Sequence, residues 1–294
     1  MKINETQTAN YITKSNLPDA DFVINPYTGC PHKCIYCYAE FMKRFTGHTG
    51  DEWGEFIDIK RSDKPLKKVG ADSTILVGSV TDAYNPFEKK YKLMRPILEQ
   101  LAGTDANVEI LTKSDLVLRD IDLLSKMKNI KVGISLNTLD DDFRKKTEPR
   151  ASSIERRLSA LKDLKEADIS TYLFMSPIFP GITNVEDIIE QTQDHADYIC
   201  FENLNLRGAY MPRVLNFISE NYPEHEALYN VIYKDKDMSY WEAMKAKIID
   251  HCEQKGIDHR IYFYHDQIKK NRKQPAESQQ LTLDGMEENA HEKK

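Results

Sequence analysis

The chain has 294 residues, 40% hydrophobic and 30% charged, and its 41 Lys and Arg against 47 Asp and Glu leave a formal net charge of −6. That length buries a sizeable core in one large α/β domain or two smaller ones, and the acidic balance excludes a uniformly basic nucleic-acid-binding body. No apolar stretch approaches the roughly 18 residues of a spanning helix, and MKINETQTAN lacks the order of a signal peptide, so a cytoplasmic location without membrane association is expected. A local basic groove is compatible with this average, because acids gather at Asp140, Asp141 and Asp142 and at Glu287, Glu288 and Glu292.

Residues 1–20 read as an N-terminal segment. Short β-branched runs then alternate with segments of helical period. Strands are predicted at Asp21–Asn25, Thr74–Ser79, Val108–Thr112, Lys131–Leu136, Thr171–Ser176 and Tyr198–Glu202, with a further run at His259–Tyr264. Helices are predicted at Ile35–Arg44, Phe87–Leu101, Leu116–Met127, Ile154–Ala167, Val185–His195 and Tyr240–Lys255. Ile154, Leu158, Leu161 and Leu164 share one side of the fourth, as a core-facing helix requires. The alternation predicts an α/β fold with a parallel sheet and crossover helices, and six strands suit an open, partial (β/α)6 barrel over residues 21–268, including a C-terminal extension. Gly47–Lys68 reads as a long connection whose length points to function. From Lys269 the chain turns polar and charged, which predicts a disordered tail. Ligands of parallel architectures sit at the C-terminal ends of strands.

Five cysteines is an odd count, and three of them, Cys30, Cys34 and Cys37, fall in the run NPYTGCPHKCIYCYAEF directly after the first strand. A disulfide framework would spread them out; metal ligation fits better. Soft thiolates select iron–sulfur clusters or zinc, and three ligands on a cubic cluster leave the fourth iron open, as reactive sites require. Gly29 and Pro31 flank the first ligand, where a tight backbone course is needed. A structural zinc site would want a fourth Cys or His; His32 is too close in sequence, while Cys200 and Cys252 are isolated and read as buried thiols. Three unliganded core cysteines are the other alternative, against which the Gly, Pro and Lys interruptions speak.

With Cys37 followed by Tyr38, the C-x-x-x-C-x-x-C run resembles the signature of the radical S-adenosylmethionine superfamily. The wider string NPYTGCPHKCIYCYA is similar to the branch that contains spore photoproduct lyase. The likeness extends through Ser79-Val-Thr-Asp-Ala-Tyr-Asn-Pro86, Leu111-Thr-Lys-Ser-Asp115, Leu118-Arg-Asp120 and Glu148-Pro-Arg150, to about Pro180. The resemblance implies a 4Fe-4S cluster on Cys30, Cys34 and Cys37, and S-adenosylmethionine chelated to its open iron. It also implies reductive cleavage to a 5'-deoxyadenosyl radical that abstracts hydrogen from substrate. An electron donor of flavodoxin or ferredoxin type goes with that chemistry. The substrate class stays open between a nucleic acid, a peptide and a small molecule. Spore photoproduct lyase carries a hydrogen-donor cysteine in the stretch corresponding to Ser79–Thr81 and this chain has none there, which stands against thymine-dimer repair itself.

Within that resemblance, Asp82 and Thr81 are candidates for the methionyl ammonium, although Thr-Asp ahead of Pro86 is equally a helix-capping arrangement. Lys113 is a candidate for the methionyl carboxylate with Ser114 adding a hydroxyl, while Asp115 reads as a cap. Ser135 and Asn137 offer groups to the ribose. Arg150, fixed by Pro149, is a candidate for the cofactor or a substrate phosphate. Tyr36 and Tyr38 are expected to pack around the cluster or adenine, or simply to be core. Arg156, Arg157, His48, His195, His251, His259 and His265 receive no role. Gln280–Asp284 loosely resembles a sliding-clamp docking string without its aromatic. A non-catalytic iron–sulfur redox or sensor protein is the alternative function; it would not need Asp82, Lys113 and Asn137 along successive strand ends.

Overall fold

The computed structural model describes residues 1–17 and 19–264. Its strands are β1 (Lys2–Gln7), β2 (Ile12–Lys14), β3 (Phe22–Ile24), β4 (Tyr27–Thr28), β5 (Phe56–Arg61), β6 (Thr74–Val77), β7 (Asn107–Thr112), β8 (Ile130–Ser135), β9 (Ser170–Ile178), β10 (Tyr198–Asn203) and β11 (His259–Ile261). Its helices are α1 (Glu88–Tyr91), α2 (Met94–Leu101), α3 (Ile121–Leu124), α4 (Asp141–Thr147), α5 (Ile154–Glu166), α6 (Val185–Thr192), α7 (Tyr210–Asn221), α8 (Glu226–Tyr233) and α9 (Ser239–Lys255).

The main sheet runs in the order β11-β10-β9-β8-β7-β6-β3-β2. From β3 to β11 every neighbouring pair is parallel; only β2 is antiparallel to β3. All six predicted parallel strands are present, with the seventh at His259–Ile261, and no pairing among the described residues joins β2 to β11. The expected open, partial barrel is therefore borne out. Alternation along the strands sends Ile75, Val77, Val108, Ile110, Val132 and Ile134 to one face, where they pack with Met94, Ile97, Leu98, Leu161 and Leu164 of the covering helices. The opposite face is mixed in character. There the Tyr172 ring lies across β8 and its hydroxyl donates to Glu109 at 2.6 Å. A Cβ at Gly133 would sit 2.1 Å from that ring, so only glycine fits.

Several elements depart from expectation. The predicted helix Phe87–Leu101 is two helices, broken at Lys92, whose φ is 50°. The buried Glu88 carboxylate accepts from the N–H groups of Leu93 and Met94 at 2.9 and 3.0 Å, which starts α2 afresh. Leu116–Met127 becomes a 3-10 segment over Asp115–Asp120 followed by α3, and the predicted helix at Ile35–Arg44 is a 3-10 segment over Tyr38–Phe45. The connection at Gly47–Lys68 contains β5, which joins β1 and β4 in a second, three-stranded sheet. Helices α4, α7 and α8 were not anticipated. Among the described residues no helix is long and apolar enough to cross a membrane. The expected tail from Lys269, the string Gln280–Asp284 and His265 lie outside the described residues.

Candidate metal and cofactor site

β3 and the short β4 deliver the chain into the cysteine loop at Gly29, whose φ is 83°. A Cβ there would lie 2.4 Å from the Phe56 carbonyl oxygen, so glycine lets the loop press onto β5. Two successive turns follow: Lys33 N–H donates to Cys30 O and Cys37 N–H to Cys34 O, each at 3.2 Å. Lys33 takes a left-handed backbone and its ammonium clips onto Glu55 at 2.8 Å. Cys30 and Cys34 are buried, Cys37 is half-buried, and none is in a disulfide. Ala39, Trp53, Phe56 and Val80 pack around Cys30 and Cys37 as an apolar wall.

Burial pushes the Cys30 thiol up to about 12 and also holds the Cys34 thiol well above its ordinary value. Burial also raises Cys37, against the opposing pull of the Ala39 N–H and the Trp53 indole. These are neutral thiols in the bare protein, and a metal's positive charge is what converts such groups to thiolates. Among the described residues no three His, Cys, Asp or Glu side chains converge closely enough to share one metal ion. A cubane, which gives each thiolate its own iron, makes no such demand on the donor set.

The strand ends lie beside this loop. The Asp82 carboxylate, after β6, accepts from Thr112 Oγ1 at 2.7 Å, Tyr84 N–H at 2.9 Å and Lys113 N–H at 2.7 Å. His32 Nδ1, from the cysteine loop, stands 3.4 Å from its Oδ2. Asp82 thus ties the ends of β6 and β7 to the loop, closer to the capping reading than to an unengaged acceptor. Lys113 Nζ donates to Ser135 Oγ at 3.0 Å and lies 5.8 Å from the centroid of the Tyr36 ring. Burial alone would lower the Lys113 ammonium; the Glu148 carboxylate and other anionic neighbours outweigh it and hold it above its ordinary value. The Tyr36 hydroxyl and the Arg157 guanidinium both donate to Glu148, and Arg157 also donates to Ser135 O at 3.0 Å. Beside the strand ends themselves, two side chains are left over. Asn137, two residues beyond the end of β8, is fully buried, and neither atom of its side-chain amide has a partner. The buried Thr81 hydroxyl is also unpartnered.

Other sequence candidates go elsewhere. Arg150 turns outward and bonds Gly54 O at 2.9 Å and Glu55 at 2.7 Å, fastening the loop to β5. Ser114 caps the 3-10 segment by accepting from Leu116 N–H, whereas Asp115, read as the cap, pairs with Arg156 and Ser152. Tyr38 is 46% exposed and its hydroxyl donates to Ser79 O. Sequence reasoning passed over Glu148, Arg157 and His32. A pair nine residues apart across the start of α5 carries no periodic signal, and both Glu148 and Arg157 look like surface charges until the fold buries them.

An open α/β sheet, parallel from β3 to β11, with three free thiols beside its strand ends defines a partial-barrel protein. The chain belongs to the radical SAM superfamily, whose family model matches residues 24–192. It is 40% identical over 214 residues to an uncharacterized protein of Methanocaldococcus jannaschii, covering 72% of this chain and 81% of that one. A radical SAM Nα-GlyT isomerase of Pseudomonas phage M6 is 26% identical over 171 residues, 55% of this chain and 34% of its own length. Among solved structures, spore photoproduct lyase complexed with a dinucleoside spore photoproduct superposes with a TM-score of 0.55 at 16% identity, covering 76% of this chain and 66% of the lyase. Streptococcus suis SuiB bound to S-adenosylmethionine superposes with a TM-score of 0.51 at 14% identity, covering 82% and 49%. This chain therefore spans just under two thirds of the lyase and about half of SuiB. At such identities the likeness is one of fold.

Proposed function

We propose that this chain is a radical SAM enzyme that holds a 4Fe-4S cluster on Cys30, Cys34 and Cys37 and S-adenosylmethionine against the ends of β6, β7 and β8. The observation that carries this reading is the fully buried Asn137 amide, which has no partner in the protein although buried amides almost always have one. When bound, the cluster and S-adenosylmethionine supply reductive cleavage of a sulfonium C–S bond and with it a hydrogen-abstracting radical. The chain's own task is to bind, orient and exclude water. Lys113, the cationic side chain beside Ser135, is assigned to the methionyl carboxylate. Thr81 is assigned to the methionyl ammonium, and Ser135 and Asn137 to the ribose. Asp82 acts one step back, aligning the Lys113 backbone and steadying His32. Glu148 and Arg157 hold Tyr36 beneath the Lys113 ammonium, while Trp53, Phe56 and Val80 keep water from the thiols. Arg150 and Ser114 are assigned to the scaffold. An electron donor of flavodoxin or ferredoxin type completes the system.

Anaerobic reconstitution with iron and sulfide should give about four irons per chain and a brown chromophore. Dithionite and S-adenosylmethionine should then yield 5'-deoxyadenosine by chromatography. Cys34→Ala should lose both colour and product. A wild-type protein that stays colourless and free of iron would overturn the reading, and a redox-active cluster that never cleaves the cofactor would mark a sensor.

A further inference from the structure

Beside the cysteine loop, a cleft of about 1050 Å³ opens between the β2–β3 end of the sheet and the chain that follows β10. One wall comes from the 3-10 segment Tyr38–Phe45, which exposes three aromatic side chains in series: Tyr38 at 46% and Phe41 at 39%, both lining the cleft, and Phe45 at 72%, just outside it. The rings form a ladder. Tyr38 and Phe41 are stacked with centroids 6.4 Å apart and 21° between planes, and Phe45 meets Phe41 edge-on at 6.4 Å. Single exposed aromatics are ordinary, but a contiguous series at the mouth of a reactive site is a binding feature.

The charge of the cleft differs from that of the molecule. In a chain with a formal net charge of −6, the lining carries Lys14, Lys43, Arg44 and Arg207 against one carboxylate, Glu40, which Arg213 engages at 2.7 Å. The Arg44 guanidinium lies 5.9 Å from the Phe41 centroid, so charge and aromatic face are presented together. The cleft adjoins the site along the chain, while the three cysteines, Lys113, Ser135 and Asn137 lie outside its lining. Tyr38 follows Cys37 directly and bonds Ser79 O, and the Ser79–Val80 pair that lines the cleft leads into Thr81 and Asp82.

We infer that this cleft admits single-stranded nucleic acid, with unpaired bases stacked on Tyr38, Phe41 and Phe45 and phosphates held by Lys14, Lys43 and Arg44, so that the substrate is a base in an unpaired strand. Exposed aromatic planes interleaved with cations match stacking platforms for unpaired bases. A duplex hides its base faces. The inference rests on the proposed function only for what happens to the base; strand binding is measurable without catalysis.

The test is fluorescence anisotropy on the reconstituted full chain under anaerobic conditions. Labelled oligonucleotides on the order of 12 nucleotides are used as single-stranded DNA, single-stranded RNA and duplex, at about 50 and about 200 mM salt. Both single strands should bind, one of them preferred, with duplex at least about tenfold weaker. Phe41→Ala with Phe45→Ala should lower affinity about tenfold or more at unchanged circular dichroism, and Phe45→Trp should retain it. Lys43→Ala with Arg44→Ala should reduce the salt slope by about 1.4, roughly 0.7 per lost phosphate contact. Wild-type affinity in the Phe double variant, or duplex binding equal to single-strand binding, would overturn the inference. So would a wild-type protein that releases 5'-deoxyadenosine yet binds no oligonucleotide, an outcome that leaves the proposed function standing. Oligonucleotide binding without cofactor cleavage would instead strike the proposed function and spare the platform. Displacement of bound oligonucleotide by an acidic flavodoxin, with no effect of the Phe variants, would assign the patch to the electron donor.

Discussion

Two buried polar networks lie on this sheet, and they differ in one respect. Behind β6, Glu88 and Asp120 are fully buried and every carboxylate oxygen is engaged. Glu88 accepts from Tyr27, Leu93 N–H, Met94 N–H and Arg119, and Asp120 accepts from Tyr84, Arg95 and Arg119. At the strand ends, Asp82 and Glu148 are similarly engaged, yet the Asn137 side-chain amide and the Thr81 hydroxyl have no partner. A saturated network is finished within the protein and holds it together. An unsaturated one carries a desolvation cost that a ligand can remove.

The comparison breaks most sharply at Glu88. Glu88→Leu removes the carboxylate that Arg119 and Tyr27 face, and roughly 3–5 kcal/mol of stability should go with it in equilibrium urea unfolding. A loss under about 1 kcal/mol would show that saturation there is incidental. At the strand ends the effect should move from stability to ligand affinity. Lys113→Ala should leave the visible cluster spectrum intact and weaken S-adenosylmethionine by roughly tenfold to a hundredfold in equilibrium dialysis, the weight of a charge-assisted hydrogen bond. Wild-type affinity would return Lys113 to the scaffold.

Asn137→Ala sharpens the contrast further. It deletes an amide without partners, so stability without ligand should stay within about 1 kcal/mol or rise, while S-adenosylmethionine affinity falls about tenfold. A cofactor-free variant destabilised by several kcal/mol would mean the amide is structural after all.

The smallest effect concerns the second sheet. His48 sits between Asp51 at 2.7 Å and Asp58 at 2.9 Å and stacks on Phe56 with centroids 4.0 Å apart. Burial alone would lower its imidazolium, but the two carboxylates outweigh that and hold it above its ordinary value. A folded-state value raised in this way stabilises fully below the unfolded value of about 6.5 and fades as pH climbs through the raised one. The thermal midpoint should therefore fall as pH climbs from about 6.5 through that raised value, and His48→Gln should flatten that slope. An identical slope in the variant would remove His48 from the account.

What the sequence determined by itself was everything encoded at short spacing. The three cysteines, the six strands of the parallel sheet and the core face of α5 follow from periods of two to four residues and from residue type. Their order along the chain was enough to expect an open barrel. The tertiary structure alone decided which distant groups meet. β1 pairs with β5 across 54 residues, joining Asn4 to Asp58, and the sequence marks neither strand as the other's partner. The break at Lys92 depends on a glutamate folding back under the next helix, and Arg150 and Arg157 exchange their expected importance because α5 buries the second and the loop turns the first outward. Local periodicity reports which face of an element is apolar. Which charges share a buried space depends on loops closed over tens of residues, and short-range pattern does not record that.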